Sequence, residues 1–249
     1  MVLLLVALVA VGGVYTAASS IGSAEAATDA AAQTQIDEGR KLYLEGCSSC
    51  HGMQAQGSQY GPTLVGVGAA AVDFQVSTGR MPLAAPGVQA QSRPSQYNAE
   101  ETAALAAYVA SLAPGPRIPN AEELDYANAD ESKGGLLFRT NCAQCHQAAG
   151  QGGALTQGKW APNLTDADPK VIYEAMLTGP ENMPVFGDGT ITPEDKQAII
   201  KYIEALDTAP SPGGLSLGKI GPVTEGLFLW TALLGALIAV AVWIGIKAR

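Results

Sequence analysis

Two pentapeptides decide the reading of this chain: Cys47-Ser48-Ser49-Cys50-His51 and Cys142-Ala143-Gln144-Cys145-His146. C-x-x-C-H is the attachment signature of a c-type haem. The two thiols add across the haem vinyl groups, and the histidine that follows becomes an axial ligand of the iron. The two-residue gap matches the separation of those vinyl groups, so the spacing itself carries chemical meaning.

The chain has 249 residues with four cysteines and two histidines, and the two pentapeptides use every one of them. A redox disulfide would not need the adjacent histidine, and no thioredoxin-like βαβ pattern surrounds either copy. Structural zinc sites bring their cysteine pairs closer in sequence than these lie. Chance would have to write the motif twice and leave no Cys or His over. The residues imply two covalently bound c-type haems.

At roughly 150 residues per domain, the length allows one or two folded units, and the paired motifs argue for two small ones. A net charge of −9 excludes a nucleic-acid partner on electrostatic grounds and suits the docking of basic partners. Covalent haem attachment takes place outside the bacterial cytoplasmic membrane or in organelle equivalents, so an export signal or anchor is expected.

The likeness of the two halves extends well beyond the pentapeptides. Gly39 and Gly134 each lie eight residues before the first cysteine, and Tyr43 and Phe138 each lie four before it. A glycine and an aromatic on one helical face suit the close crossing of two helices. Downstream, Tyr60-Gly61-Pro62-Thr63-Leu64 matches Trp160-Ala161-Pro162-Asn163-Leu164, and each half then reaches a Thr-Gly pair followed by Met-Pro. Each half closes on a helix with an N-cap signature, at Asn98 with Glu101 and at Thr192-Pro193 with Asp195. One module is written twice.

Domain limits follow from composition. The first module is expected at 29–113 and the second at 127–209. A proline-rich linker at 114–126 separates them, and another at 210–223 follows. Residues 2–21 carry no charge and would run about 30 Å as a helix. Ala24-Glu25-Ala26 resembles a signal-peptidase site, yet the apolar run exceeds an h-region of about 7–15 residues and lacks a basic lead-in. We therefore expect residues 1–22 to be an N-terminal anchor, or else a signal segment, with the start of translation upstream. Residues 224–246 are expected to cross the membrane, with Trp230 and Trp243 near the ends of the uncharged run and Lys247 and Arg249 on the cytoplasmic side. Both haem modules then lie on the outer face.

No third histidine is available, so the sixth iron position falls to methionine, to lysine or to nothing. Met53 follows His51 too closely to reach the opposite haem face, and Met176 sits in a helical run where a core role fits. Met81 and Met183 occupy equivalent Met-Pro loops, which makes them the candidate axial ligands opposite His51 and His146. Two such ligands leave no open site, so the haems should carry electrons and not bind peroxide. The carbonyls of Pro62 and Pro162 are expected to accept the imidazole Nδ1–H bonds. Tyr60, Trp160 and Arg80 are candidate haem-propionate partners.

Each module resembles a class I cytochrome c. The tandem pair with a C-terminal anchor resembles the dihaem cytochrome c subunit of the actinobacterial menaquinol–cytochrome c reductase, a bc1-type complex. The likeness is carried by Phe74-Gln75-Val76-Ser77-Thr78-Gly79-Arg80-Met81-Pro82, Gly152-Gly153-Ala154-Leu155, Ala175-Met176-Leu177-Thr178-Gly179-Pro180, Pro212-Gly213-Gly214 and Trp243-Ile244-Gly245. The resemblance implies an all-α fold of two tandem class I domains plus transmembrane helices. It further implies a cytochrome b subunit, a Rieske iron–sulfur donor, and an aa3-type oxidase whose copper centre accepts the electrons. Two other readings are the cytochrome subunit of a periplasmic dehydrogenase, which usually has three haems, and a dihaem peroxidase, which needs a vacant iron site.

Overall fold

The glycine and aromatic spacing of each repeat becomes a helix crossing. In the first repeat α1 (residues 29–46) meets α4 (Ala99–Leu112) at Gly39. A Cβ added there would stand 1.9 Å from the Ala104 carbonyl oxygen and 2.9 Å from Tyr108 Cβ. The backbones therefore touch only because the residue lacks a side chain. One turn further on, the Tyr43 and Tyr108 rings lie 5.2 Å apart at 48°. In the second repeat α5 (Glu131–Asn141) meets α8 (Pro193–Thr208) in the same way. A Cβ on Gly134 would lie 1.9 Å from the Ala198 carbonyl oxygen, and the Phe138 and Tyr202 rings are 5.4 Å apart at 49°.

This computed structural model describes residues 10, 12, 13, 29–208 and 222–247. The expected N-terminal span at 1–22 lies outside them, apart from residues 10, 12 and 13, which are helical. Most of the expected linker at 210–223 lies outside them as well.

The chain divides into two compact units, Met1–Pro86 with Ala90–Ile118, and Gly87–Gln89 with Pro119–Arg249. In the first, a single helical turn, α2 (Ser48–His51), follows α1, and α3 (Gly68–Ser77) packs on α4. Asn98 and Glu101 start α4 with a reciprocal capping box, each bond 2.9 Å long. The core gathers Tyr43, Val72, Val76, Leu105, Tyr108 and Val109.

The second unit repeats the plan with α6 (Ala143–His146), α7 (Pro169–Thr178) and α8. Asp168 caps α7 just ahead of Pro169, and Gly179 ends it in the left-handed region. Its core holds Phe138, Ile172, Tyr173, Met176, Ile199, Ile200 and Ile203. One feature departs from an all-helical expectation. Strands β1 (Gly153–Ala154) and β2 (Trp160–Ala161) pair antiparallel around a 3₁₀ turn at Thr156–Gly158. Two-residue strands are too short to write an alternating pattern, so nothing in the sequence announces them.

The proline-rich stretch is packed on both sides. Pro116 accepts the Ala70 N–H at 3.1 Å, and Ile118 packs against the first core. From Pro119 onward the chain belongs to the second unit. There Asn120 and Glu123 cap one another at 2.9 and 2.8 Å, and Leu124 and Tyr126 lie against the second core.

The last helix, α9, runs Pro222–Lys247. Its stretch Gly226–Lys247 has a mean hydropathy of 2.4 over its most apolar window, none of it buried, and is long and apolar enough to cross a membrane. Its 22 residues span about 33 Å.

Both crossings can be tested by filling them. Gly39→Ala and Gly134→Ala should each lower the unfolding free energy by about 2–3 kcal/mol or more, because the obstructing atoms are backbone and cannot rotate away. Gly187→Ala, whose Cβ meets nothing within 4 Å, should stay close to the parent in the same denaturant titration.

Candidate functional site

Each C-x-x-C-H motif folds as one helical turn continuing from the helix before it. Cys47 donates its N–H to Tyr43 and accepts the N–H groups of Cys50 at 3.1 Å and His51 at 3.0 Å. Cys142 does the same with Phe138, Cys145 and His146, at 2.8, 3.1 and 2.9 Å. The first cysteine of each motif is half-buried on the core, and the second is exposed. None of the four is paired in a disulfide. Burial, reinforced by the neighbouring cysteine, pushes Cys47 and Cys142 up to about 11.

Both histidine rings are held by a proline carbonyl. His51 Nδ1 lies 2.8 Å from the Pro62 oxygen, and His146 Nδ1 lies 3.0 Å from the Pro162 oxygen. A carbonyl can only accept, so the proton is on Nδ1 and the Nε2 lone pair is left for a metal. Burial lowers the His146 pKa from its ordinary value, and the Pro162 bond partly opposes that shift. His146 is 8% exposed, whereas His51 is half-buried.

Glycines aim those carbonyls. Gly57 and Gly152 each lie six residues after the histidine and return their N–H to its carbonyl, at 2.8 and 3.0 Å. Both have left-handed φ, +86° and +73°, where a side chain would be strained. A Cβ on Gly152 would stand 2.2 Å from the Ala161 oxygen and 2.6 Å from the Pro162 carbonyl carbon. Sequence reasoning passed over this pair, although their equal offset from the two histidines was there to be read.

The methionines sort by environment. Met53 is 66% exposed and Met176 is 2% exposed within the second core. Met81 and Met183 are half-buried in loops, and each packs on the same core as the first cysteine of its motif. Tyr60 and Trp160 are exposed beside the two prolines. The Trp160 backbone is bonded at both its N–H and its carbonyl by the Gln89 side chain, each at 2.8 Å. Arg80 places its guanidinium 4.8 Å over the Phe74 ring. The second unit buries a cation that sequence reasoning missed. Lys196, 0% exposed, donates to Asp188 Oδ1 at 2.7 Å and to the Ile191 carbonyl at 2.6 Å.

These donors fit a covalently bound haem. Each motif offers two thiols on one turn and an imidazole with its proton already placed. Each unit adds a half-buried thioether, and soft sulfur with imidazole is a donor set for haem iron.

Comparison with known proteins agrees. The Cytochrome c family model matches residues 36–113, and the model for Cytochrome C oxidase, cbb3-type, subunit III matches residues 129–203. A cytochrome bc1 complex cytochrome c subunit from Corynebacterium efficiens is 47% identical over 231 residues, covering 87% of this chain and 78% of the relative. Its counterpart from Mycobacterium tuberculosis is 41% identical over 256 residues, covering 99% and 90%. A cbb3-type cytochrome c oxidase subunit from Sinorhizobium medicae is 38% identical over 96 residues, about a third of either chain, so it speaks for a module only.

Gly152→Ala tests whether the second carbonyl depends on its glycine. The substitution should displace Pro162, weaken the Nδ1–H bond and leave the His146 imidazole less basic at Nε2. The potential of the second haem should then rise while the first stays put. An unchanged pair of midpoint potentials in a redox titration would show that the bond survives without the glycine.

Proposed function

The chain belongs to the family of cytochrome bc1 complex cytochrome c subunits, and from that premise we propose that it relays electrons out of a menaquinol-oxidising complex. It carries two covalently bound c-type haems in two cytochrome c domains and is anchored in the membrane by α9. In this reading Cys47 and Cys50 would attach the first haem, and His51 and Met81 would supply ligands to its iron. Cys142, Cys145, His146 and Met183 would do the same for the second. When bound, haem supplies a one-electron iron couple whose potential is raised by a thioether ligand. The chain's part is to hold that couple. Pro62 and Pro162 keep each imidazole oriented and basic, and the half-buried methionines would offer the iron a thioether and keep other ligands out.

The observation that carries this reading is the duplicated imidazole–carbonyl pair on a chain that aligns along nearly its whole length with such subunits. On it we base the finer route. The first domain would take electrons from a Rieske iron–sulfur subunit, and the second would pass them to the copper centre of an aa3-type oxidase. A cytochrome b subunit completes the quinol-oxidising core. Lys247 and Arg249 follow the anchor, and the positive-inside rule supports a topology with that end in the cytoplasm and both haem domains on the outer face. Tethering the two carriers on one anchored chain raises the effective concentration of donor and acceptor.

Solubilised in mild detergent, the chain should copurify with a Rieske protein, a cytochrome b and an oxidase. Recovery with a periplasmic dehydrogenase instead would overturn the assignment. Met183→His should lower the potential of one haem by a sizeable part of the roughly 0.8 V that axial ligands span, and leave the other nearly untouched. If Met176→Leu removed the thioether–iron absorption of the second haem and Met183→Leu did not, the ligand would be misassigned.

A further inference from the structure

The loop that carries Met81 is short and held from one side. After α3, Thr78 bonds back to the Phe74 carbonyl through its hydroxyl at 2.5 Å, and Gly79 turns in the left-handed region at φ +64°. Met81 then returns its N–H to Gln75 at 2.9 Å. Against this turn lies a segment more than ten residues downstream. The Thr78 carbonyl accepts both the Ser92 hydroxyl at 3.0 Å and the Arg93 N–H at 3.1 Å. A Cβ on Gly79 would stand 2.0 Å from the Arg93 carbonyl oxygen, so the two backbones lie in contact.

Arg93 does more than touch the turn. Its Nε donates to the Gly79 carbonyl at 2.8 Å, and its terminal nitrogen donates to the Pro82 carbonyl. Those two oxygens flank Met81, one on either side. A guanidinium is a planar fork with donors at fixed separation, so bonding both carbonyls at once fixes the span from which Met81 hangs. Among the described residues of the second unit, no guanidinium is seen to bridge the carbonyls on either side of Met183. Its Met-Pro loop is two residues longer between the Thr-Gly pair and the methionine, with Met183 N–H bonded to Pro180 at 3.0 Å and Phe186 N–H to Met176 at 2.7 Å. Its buried Lys196 binds Asp188 and Ile191, both downstream of Met183.

We propose that Arg93 is a positioning residue for the first haem, its guanidinium bridging the carbonyls of Gly79 and Pro82 so that the Met81 thioether is held ready for the iron. The inference rests on the assignment of Met81 as axial ligand. In the full chain with both haems, a Met183→His background leaves the thioether–iron charge-transfer band to the first haem alone. Adding Arg93→Met, which keeps the aliphatic stem and removes the fork, should raise the fraction of first haem lacking that band about tenfold or more, since two charge-assisted bonds are lost. The midpoint potential of the first haem should fall, and that of the second should not move. Arg93→Lys, which keeps the charge but not the two-point geometry, should restore the band only in part, and it carries the test if Arg93→Met fails to accumulate.

Full strength of the band and an unmoved first potential in Arg93→Met would overturn the proposal, as would equal shifts at both haems. Met81→Leu in the same background separates the two assignments. If Met81→Leu leaves the band in place, the ligand assignment and the role of Arg93 fall together. If it abolishes the band while Arg93→Met does not, only the role of Arg93 falls.

Discussion

Two helices can meet backbone to backbone only where one of them has no Cβ, and each unit of this chain meets that condition at a glycine eight residues before its first cysteine. Gly39 against Ala104 and Gly134 against Ala198 fix how far apart the flanking helices lie. The offset of four residues then matters. It brings an aromatic to the crossing, at Tyr43 and Phe138, and four residues later it leaves the first cysteine half-buried at the edge of the same core. From that cysteine the next turn must carry the imidazole. The loop beyond it must come back far enough for a proline carbonyl to meet Nδ1. Each step depends on the one before.

The parts legible in the sequence are those that repeat at fixed offsets or obey a local rule. The paired motifs, the glycine and aromatic spacing and the Asn98–Glu101 box are of this kind. So is the uncharged C-terminal run, which the structure shows as one long exposed helix. Parts that depend on distant side chains left no such trace. Arg93 reaches carbonyls 11 and 14 residues away, and nothing in the spelling of residues 88–95 marks it out. Lys196 reads as one more lysine on a helix start until its burial is seen, because helical position alone does not tell a satisfied cation from a solvated one. The hairpin at Gly153 escaped for want of length.

The two units keep one frame and vary what surrounds it. Gly61 faces the ring of His51 where the second unit has Ala161, and the second histidine is the more deeply buried. A guanidinium holds one methionine loop, while a buried ammonium lies beyond the other. Burial and polar neighbours are the means by which a protein sets apart two chemically identical cofactors. A duplicated carrier can therefore keep one frame while its two sites differ in burial and polar surroundings.

The stretch between the units has a practical consequence. Proline-rich spacers are ordinarily where proteases nick a multidomain chain, because their backbone is free to enter an enzyme's cleft. Here Pro116 accepts a hydrogen bond, Ile118 is pressed on one core and Leu124 and Tyr126 on the other. Between those held points Arg117 and the run 120–122 stay exposed. A protease is therefore left with short exposed pieces, Arg117 among them, set between anchored residues and not with one long free spacer.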